Sequence, residues 1–448
     1  MSSDPTANGS GPSPASAAEA SSLDAAEASL PGAADSSTGR KVPWVIIFVL
    51  LGSTIINYLD RLTVSVLAPT LRDEFGMSNT EYAWTVNAFT FSYMVFYSVG
   101  GRISDILGAR KALTLFVVWW STASVAQAFV VGPRSLAAVR FVLGMGEGGN
   151  WPTVIKSAAE RVPGAMRSFA IGIVNSGSAL GAMLAPLIVG SLAVMWGWRA
   201  AFLATASVGF LWVPIWLYVT RNDPKEEATK EERVPWRRLV FFRQAWAVFL
   251  ARLIGDPIWG FYTFWLPEYL NRARGLDLKS ISVVAWIPFL AADLGNMAGG
   301  GVTSWLIARG WSVQRARRTV MWVAAFGTMI GILAPFTDSL PLAIAAMSCA
   351  GFFFITWGMN SLNLPADWFP PSYVGTVLGF SGTGNGLGTL IVTALTGWVL
   401  DTTGNYTIVF VGVGLLVPIA QLVLTLVGGP IYRLDIRECS PEQVQASH

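Results

Sequence analysis

Charged side chains interrupt stretches of this sequence that are otherwise apolar enough to cross a lipid bilayer. Asp60 and Arg61 interrupt the first long apolar segment, and Arg140 and Glu147 interrupt the fourth. A charged group at the centre of a bilayer costs at least about 3 kcal/mol, so such groups persist where they line a polar cavity, pair with one another or meet a ligand. Two acidic and two basic groups in one half of the chain therefore suggest a proton-linked pathway for an anion.

Arg140 and Glu147 are two helical turns apart and share one face of a helix, and Gly144 between them leaves room for a ligand or a neighbouring helix. Arginine can donate two parallel hydrogen bonds to a carboxylate, so Arg140 is the candidate anion ligand. Asp60 and Arg61 point about 100° apart on a helix, and one arrangement places Arg61 between Asp60 and Glu147. The alternative for Arg140 and Glu147 is a buried ion pair that orients two helices.

The charges of these side chains sum to zero when all are ionised. An added monoanion together with one proton keeps the cavity neutral, whereas the anion alone leaves a net negative charge in a medium of low dielectric. The charge balance therefore predicts that the site loads one proton and one carboxylate ligand together.

Neutral polar residues in later apolar segments are further candidates for substrate binding. Ser178 and Asn385 fall at equivalent positions of an internal repeat, and Asn175 and Asn360 carry groups that hydrogen bond well to sugar hydroxyls. Tyr93 is an aromatic candidate for the same cavity. Hydrogen bonding between helices explains the polar residues equally well, and aromatic residues of membrane proteins often face lipid.

A second group of intramembrane charges lies in the carboxy-terminal half. Arg252 and Asp256 are one helical turn apart and can pair on one helix face, Pro257 breaks the helical hydrogen bonding there, and Asp293 lies in the next apolar segment. Two interpretations stay open for this group: a structural ion network, or a secondary role in coupling.

The composition predicts a helical membrane protein. The chain has 448 residues, of which 53% are hydrophobic and 13% charged, whereas a soluble domain has about a quarter charged residues. Apolar stretches follow one another from residue 42 to 431, and at about 20 residues each they give about twelve spans. They lack the alternating pattern of barrel strands. We expect an all-α membrane protein of about twelve transmembrane helices.

The same sequence argues against enzymatic chemistry. The single histidine is His448, and the two cysteines, Cys349 and Cys439, form neither a disulfide framework nor a metal-ligand cluster. No set of nucleophile, base and orienting residue is apparent. We expect no metal, no cofactor and no nucleic-acid partner.

The polar segments define the expected organisation. Residues 1–39 lack the features of a signal peptide and are typical of a disordered cytosolic tail. Two six-helix halves are expected over residues 42–220 and 244–433, joined by a cytosolic central loop over 221–243 and followed by a cytosolic tail over 434–448. Basic residues after the second, sixth and eighth segments place both termini in the cytosol. Ser78 and Glu81 have the spacing of a helix capping box.

An internal repeat relates the two halves. Gly177, Leu180-Gly181 and Gly190 recur as Gly384, Leu387-Gly388 and Gly397. Two halves in the same orientation are related by an axis along the membrane normal, as in the major facilitator architecture, and ligands of such folds bind near the bilayer midplane between the halves. Under this repeat Arg140 and Glu147 correspond to uncharged residues, so the fold itself does not require their charges.

One cytosolic turn resembles the loop between the second and third helices of the major facilitator superfamily. It runs from Gly100 to Lys111 and includes Gly101, Asp105, Gly108 and Arg110. The glycines permit a tight turn and close helix approach, and Asp105 can cap a helix or pair with a basic residue of a neighbouring helix. This loop is the predicted cytosolic gating loop.

Longer motifs resemble one family within that superfamily. Asn57-Tyr58-Leu59-Asp60-Arg61 and the Arg140…Glu147 helix resemble the anion:cation symporters, and the segment from Asp256-Pro257 to Pro267 resembles the hexuronate transporters. The resemblance covers residues 42–433. It implies that Asp60 and Glu147 are the protonating pair, Arg61 their mediator, Arg140 the carboxylate ligand, and Tyr93 and Asn385 cavity contacts. Ser178 departs from sugar-acid relatives that carry a longer amide there.

The expected function is proton-coupled import of an acidic sugar, such as glucuronate or galacturonate, by a monomer in the inner (plasma) membrane. Alternatives are symport of another organic anion (an aldonate, sialic acid or a dicarboxylate), facilitated diffusion without protons, and a transporter-like receptor that moves no solute. A dicarboxylate should need a second cation in the cavity, and in the first half only Arg61 is spare.

Overall fold

The computed structural model describes residues 44–162, 164–222 and 241–431 of the chain, and the regular structure of these ranges is helical. The predicted tails at 1–39 and 434–448, and all but the ends of the predicted central loop at 221–243, lie outside the described residues. Seven helical segments of the described part are long and apolar enough to cross a membrane.

The amino-terminal half contains eight helices that form six spans, because the fourth span is broken into α5 and α6 and the short α2 follows the first span. Their bounds are α1 Trp44–Val66, α2 Ala68–Phe75, α3 Asn79–Leu107, α4 Ala109–Gln127, α5 Pro133–Gly148, α6 Asn150–Arg161, α7 Gly164–Trp196 and α8 Trp198–Val219.

The carboxy-terminal half also forms six spans, three of which change direction or helix type midway. Its helices are α9 Arg243–Gly255, α10 Pro257–Arg272, α11 Leu278–Val284, α12 Ile287–Ala308, α13 Val313–Gly327 with a 3₁₀ continuation over Thr328–Phe336, α14 Leu340–Trp368, α15 Pro371–Thr403 and α16 Tyr406–Gly428. Pro257 separates α9 from α10, since a proline provides no N–H for the helical ladder.

Glycines bring α7 against α1 in the amino-terminal half. A Cβ atom at Gly177 would lie 2.9 Å from the carbonyl oxygen of Leu51, and one at Gly181 would lie 2.7 Å from that of Ile55. The two helices can approach this closely only because both positions lack a side chain.

The same contact is repeated between α15 and α9 in the other half. A Cβ atom at Gly384 would lie 2.6 Å from the carbonyl oxygen of Phe249, and one at Gly388 would collide with that of Leu253. The glycines that recur in the sequence therefore make equivalent helix contacts, as the internal repeat predicts.

Polar contacts join the two halves at the end of the molecule that contains α2, which we call the closed end. Two hydroxyl groups of the first half donate to carbonyl groups of α10: Ser65 to Thr263 at 2.5 Å and Tyr82 to Phe264 at 2.7 Å. These bonds join the carboxy-terminal end of α1 and the amino-terminal end of α3 to one helix of the opposite half.

Ion pairs reinforce the closed end. Glu268 of α10 is fully buried and pairs with Arg72 of α2, whose side chain is 9% exposed. Arg272 donates to Glu268 at 3.1 Å and also pairs with Asp73 of the first half. Because these charges come from both halves, the contacts must break when the halves separate at this end.

The first turn of α3 is held from two sides. Ser78 and Glu81 form the predicted capping box, with both hydrogen bonds at 3.0 Å, so that prediction is confirmed. Asp401 at the end of α15 accepts hydrogen bonds at 2.8 Å from the backbone N–H groups of Asn79 and Thr80 and from the Asn79 side chain. A carboxylate of one half thus binds the amino terminus of a helix of the other half.

The segment predicted as a gating loop is mostly helical: Gly101 and Asp105 lie in the last turns of α3, Arg110 lies in the first turn of α4, and Gly108 alone separates the two helices. Gly108 has a φ of 77°, a conformation that favours glycine. Asp105 pairs with Lys156 of α6 at 3.2 Å, and Arg110 donates to the Thr220 hydroxyl at 3.0 Å. A Cβ atom at Gly101 would lie 3.8 Å from Pro152, which is ordinary contact. Asp105 is thus in an ion pair with a basic residue of a neighbouring helix, and its role in gating stays a prediction.

Candidate functional site

A buried ion pair between α1 and α5 lies at the centre of the candidate site. Arg61 Nε donates to Glu147 Oε2 at 2.9 Å, and Arg61 Nη2 donates to the Asn57 side chain at 3.0 Å. Glu147 is fully buried, whereas the Arg61 side chain is 12% exposed. Arg61 is therefore the member of the pair that a solute could reach.

Aromatic rings surround the Arg61 guanidinium. Its central carbon lies 4.6 Å from the ring centre of Tyr58 and 4.5 Å from that of Tyr93. Contact with ring faces stabilises a cation where water is scarce. Tyr93, predicted as a cavity residue, thus lies beside the charged group.

Arg140 is close to this pair but completely buried. Its Nη1 donates to the carbonyl oxygen of Arg61 at 3.2 Å, and its guanidinium lies 4.3 Å from the ring centre of Phe89. Among the described residues, the Nε and Nη2 atoms of Arg140 have no hydrogen-bond partner, and neither does Glu147 Oε1. The site therefore contains both hydrogen-bond donors and a hydrogen-bond acceptor that are available to a ligand.

Glycines of α5 explain why these groups meet. A Cβ atom at Gly144 would lie 2.5 Å from the Phe89 carbonyl oxygen, and one at Gly148 would lie 2.8 Å from that of Tyr93. The backbone of α3 consequently lies directly against α5, which places Phe89 and Tyr93 beside the arginines. The space beside Gly144 and Gly148 is occupied by the backbone of α3 and does not form an open pocket.

Asp60 occupies a separate environment. It is 1% exposed, and within the described part of the chain neither of its carboxylate oxygens has a hydrogen-bond partner of good geometry. Trp120 and Ser124 of α4 and Thr205 of α8 present donors nearby. Arg61 pairs with Glu147 and not with Asp60, because the turn of α1 directs the Asp60 side chain towards the donors of α4 and α8.

The carboxy-terminal charges form a pair of their own. Arg252 Nε donates to Asp256 Oδ2 at 2.8 Å, and Arg252 Nη1 donates to the Ser381 hydroxyl at 3.2 Å. The side chain of Asn385 on α15 lies close to the Asp256 carboxylate. Asp293 lies on α12 beside Asn296 and forms no ion pair with Arg252, although the sequence grouped them.

The remaining predicted binding residues divide into two groups. Ser178 and Asn175 are half-buried neighbours on α7, where the Ser178 hydroxyl donates to the Asn175 carbonyl at 2.7 Å. Asn360, by contrast, is used in helix packing: it accepts from Thr303 at 2.9 Å and donates to the Gly299 carbonyl at 3.1 Å. We do not include Asn360 in the proposed binding cavity.

Sequence reasoning missed the residues of the closed end and the donors around Asp60. Glu268 follows Trp265-Leu266-Pro267 in an apolar segment, and that carboxylate is as informative as Glu147. Arg72 and Asp401 lie in short polar stretches of the kind found in ordinary loops. Their contacts across the closed end depend on which segments of the two halves meet.

Helical spans, buried charges between them and two pseudo-equivalent halves define a membrane transporter. The described residues contain no cluster of side chains suited to a metal ion. The profile of the Major Facilitator Superfamily matches residues 50–364. The chain therefore belongs to that superfamily.

Individual relatives cover nearly all of the chain. It is 30% identical over 417 residues to a probable sulfoacetate transporter of Cupriavidus necator, which spans 88% of this chain and 96% of the relative. It is 30% identical over 384 residues to the hexuronate transporter of Escherichia coli K12, with 81% and 88% covered. The family and these relatives are transporters, not enzymes.

A solved structure supports the same fold. The crystal structure of a D-xylose-proton symporter superposes with a TM-score of 0.69 at 15% sequence identity, covering 86% of this chain and 98% of that one. At this identity the likeness concerns the architecture alone.

Proposed function

We propose that the protein is a proton-coupled symporter that imports an acidic sugar, such as a hexuronate, across the plasma membrane. The observation that carries the proposal is the buried Arg61–Glu147 pair, in which the arginine side chain is partly exposed and the glutamate is fully buried. The match to a hexuronate transporter over most of both chains supports this class of substrate.

The geometry suggests how the two loads are linked. A carboxylate that reaches Arg61 competes with Glu147 for the same guanidinium, and two carboxylates on one buried arginine leave an uncompensated negative charge. A proton on Glu147 removes that charge and frees Arg61 for the ligand. Substrate and proton then bind together, and neither binds well alone.

Arg140 supplies the second positive charge of this site. It is fully buried and has two nitrogen atoms without partners, so it can bind the substrate carboxylate directly only after neighbouring side chains move. In the observed conformation Arg61 is the first contact, and Arg140 stabilises the negative charge behind it. The predicted role of Arg140 as carboxylate ligand belongs to a later step of the cycle.

The test is uptake of labelled glucuronate into proteoliposomes with and without an inward proton gradient. In Glu147→Gln we expect gradient-driven accumulation to disappear while exchange of internal for external glucuronate continues, because the neutral amide imitates the protonated acid. Glu74→Gln, which alters an acid paired with Arg199 within one half, should behave as wild type. Accumulation by Glu147→Gln equal to that of wild type would refute the coupling role.

A second candidate is symport of another organic anion, which the sulfoacetate relative favours. Sulfoacetate carries two acidic groups, so it needs more positive charge than a hexuronate. Competition of unlabelled sulfoacetate and glucuronate against each other's uptake separates these two functions.

A further inference from the structure

We propose that Arg252 and Asp256 form a second binding site, in the carboxy-terminal half, for the hydroxyl-bearing end of the transported acid. This inference rests on the proposed function, since it concerns the part of the sugar acid that Arg61 does not bind. The argument comes from the position of the pair, its unused hydrogen-bonding groups and its charge.

The repeat places the pair on the cavity side. Gly181 contacts α1 at Ile55, and its equivalent Gly388 contacts α9 at Leu253. The residue three positions beyond Ile55 is Tyr58, whose ring lies against the Arg61 guanidinium. Asp256 lies three positions beyond Leu253. It is therefore the equivalent of Tyr58, which faces the Arg61 site in the first half.

Contacts between the halves lead to the same location. A Cβ atom at Gly386 would lie 2.6 Å from the sulfur of Met94 on α3, so α15 lies against α3 here. Tyr97, on the same helix, is within electrostatic range of Arg252, and its ring centre is 6.1 Å from that of Tyr93. Two tyrosine side chains thus connect the Arg61 site with Arg252.

The pair keeps unused hydrogen-bonding groups. Arginine has five N–H donors, and Arg252 uses one on Asp256 and one on Ser381. The side chains of Arg252 and Asp256 are 15% and 10% exposed, so part of each remains accessible. A fixed donor beside a fixed acceptor matches a sugar hydroxyl, which donates one hydrogen bond and accepts others.

The charge of the pair decides which end of the substrate it suits. Arg252 and Asp256 neutralise each other, so a second carboxylate or sulfonate placed there would be buried without a compensating charge. Hydroxyl groups bring no charge. The pair therefore selects a polyhydroxylated monoacid over a diacid.

The test compares the binding of two epimers by purified protein. Glucuronate and galacturonate differ only in the orientation of one hydroxyl group, and glucarate adds a second carboxylate. Dissociation constants are measured by calorimetry for wild type, Asp256→Asn, Ser381→Ala and the control Asp293→Asn, with a thermal melt of each variant. Ser381→Ala removes one hydrogen bond of Arg252 and leaves its ion pair with Asp256 intact. It replaces Asp256→Asn in the test if that variant folds poorly.

We expect Asp256→Asn to weaken binding of the uronates about tenfold, to change the glucuronate-to-galacturonate affinity ratio at least about threefold, and to improve relative binding of glucarate. Asp293→Asn should leave that ratio unchanged. Equal losses for both epimers, no loss, or tighter wild-type binding of glucarate than of either uronate would overturn the assignment. If wild type binds neither uronate, the proposed function itself fails and this inference fails with it.

Discussion

Replacing Glu268 by glutamine should open the closed end of the transporter. Glu268 is fully buried and pairs with Arg72 of the opposite half. A hydrogen bond between charged groups contributes about 1.5–3 kcal/mol, and the pair becomes hydrated when the halves separate. Loss of about 2 kcal/mol from the closed state alone corresponds to a roughly 30-fold higher ratio of open to closed molecules.

The assay uses a cysteine at Ser65, which donates to α10 across the closed end and is 1% exposed. Both native cysteines, Cys349 and Cys439, are first replaced by serine. With the termini in the cytosol, as predicted, the closed end faces outwards, and a membrane-impermeant maleimide added to intact cells reports its opening. The labelling rate of Ser65→Cys should rise by about one order of magnitude or more when Glu268→Gln is added.

The matched control is Arg199→Gln, because Arg199 pairs with Glu74 at the same end of the molecule but within one half. That pair is largely exposed and contributes little, so the labelling rate should not change. Equal labelling of the Glu268 variant and its parent, or equal acceleration by the control, would show that the ion pair does not hold the halves together.

Three further substitutions test the packing. Gly388→Ala should lower the free energy of unfolding by about 1–3 kcal/mol, because the added carbon collides with the Leu253 carbonyl. The control is Gly379→Ala, where the new carbon has no described atom within 4 Å. In the same thermal melt this control should be neutral or slightly stabilising. Asn360→Ala should lower the melting temperature through a cost of about 1–3 kcal/mol for lost buried hydrogen bonds and leave the KM for uptake unchanged; a raised KM with unchanged stability would instead place Asn360 in the cavity.

The sequence was most informative where one residue type has a single physical meaning. At a close helix contact no residue other than glycine fits. The recurrence of Gly177 and Gly181 as Gly384 and Gly388 therefore predicted two equivalent halves, and the structure shows equivalent contacts. Charge inside an apolar segment is similarly restrictive, and it identified Glu147 correctly as a buried group.

Side-chain direction was harder to predict. Asp60 and Arg61 are adjacent in the sequence, yet one lies among the donors of α4 and α8 and the other against Glu147. Which of two adjacent residues faces the cavity depends on the rotation of α1 against its neighbours, and that rotation is set by packing rather than by local pattern. The burial of Arg140 could not be predicted for the same reason.

Contacts between the halves were beyond the sequence altogether. Glu268 and Arg72 are far apart in the chain, and their pairing depends on how the two halves meet. The residue pattern of a single segment does not show which residue of the other half will lie against it.

The amino terminus of α3 has two caps of different permanence. Ser78 and Glu81 satisfy each other's backbone N–H groups from within the helix, whereas the N–H groups of Asn79 and Thr80 depend on Asp401 from the opposite half. When the halves separate, only the second set is transferred to water. The capping box would then still hold the backbone N–H groups of Ser78 and Glu81, so separation of the halves removes only part of the hydrogen bonding at the start of α3.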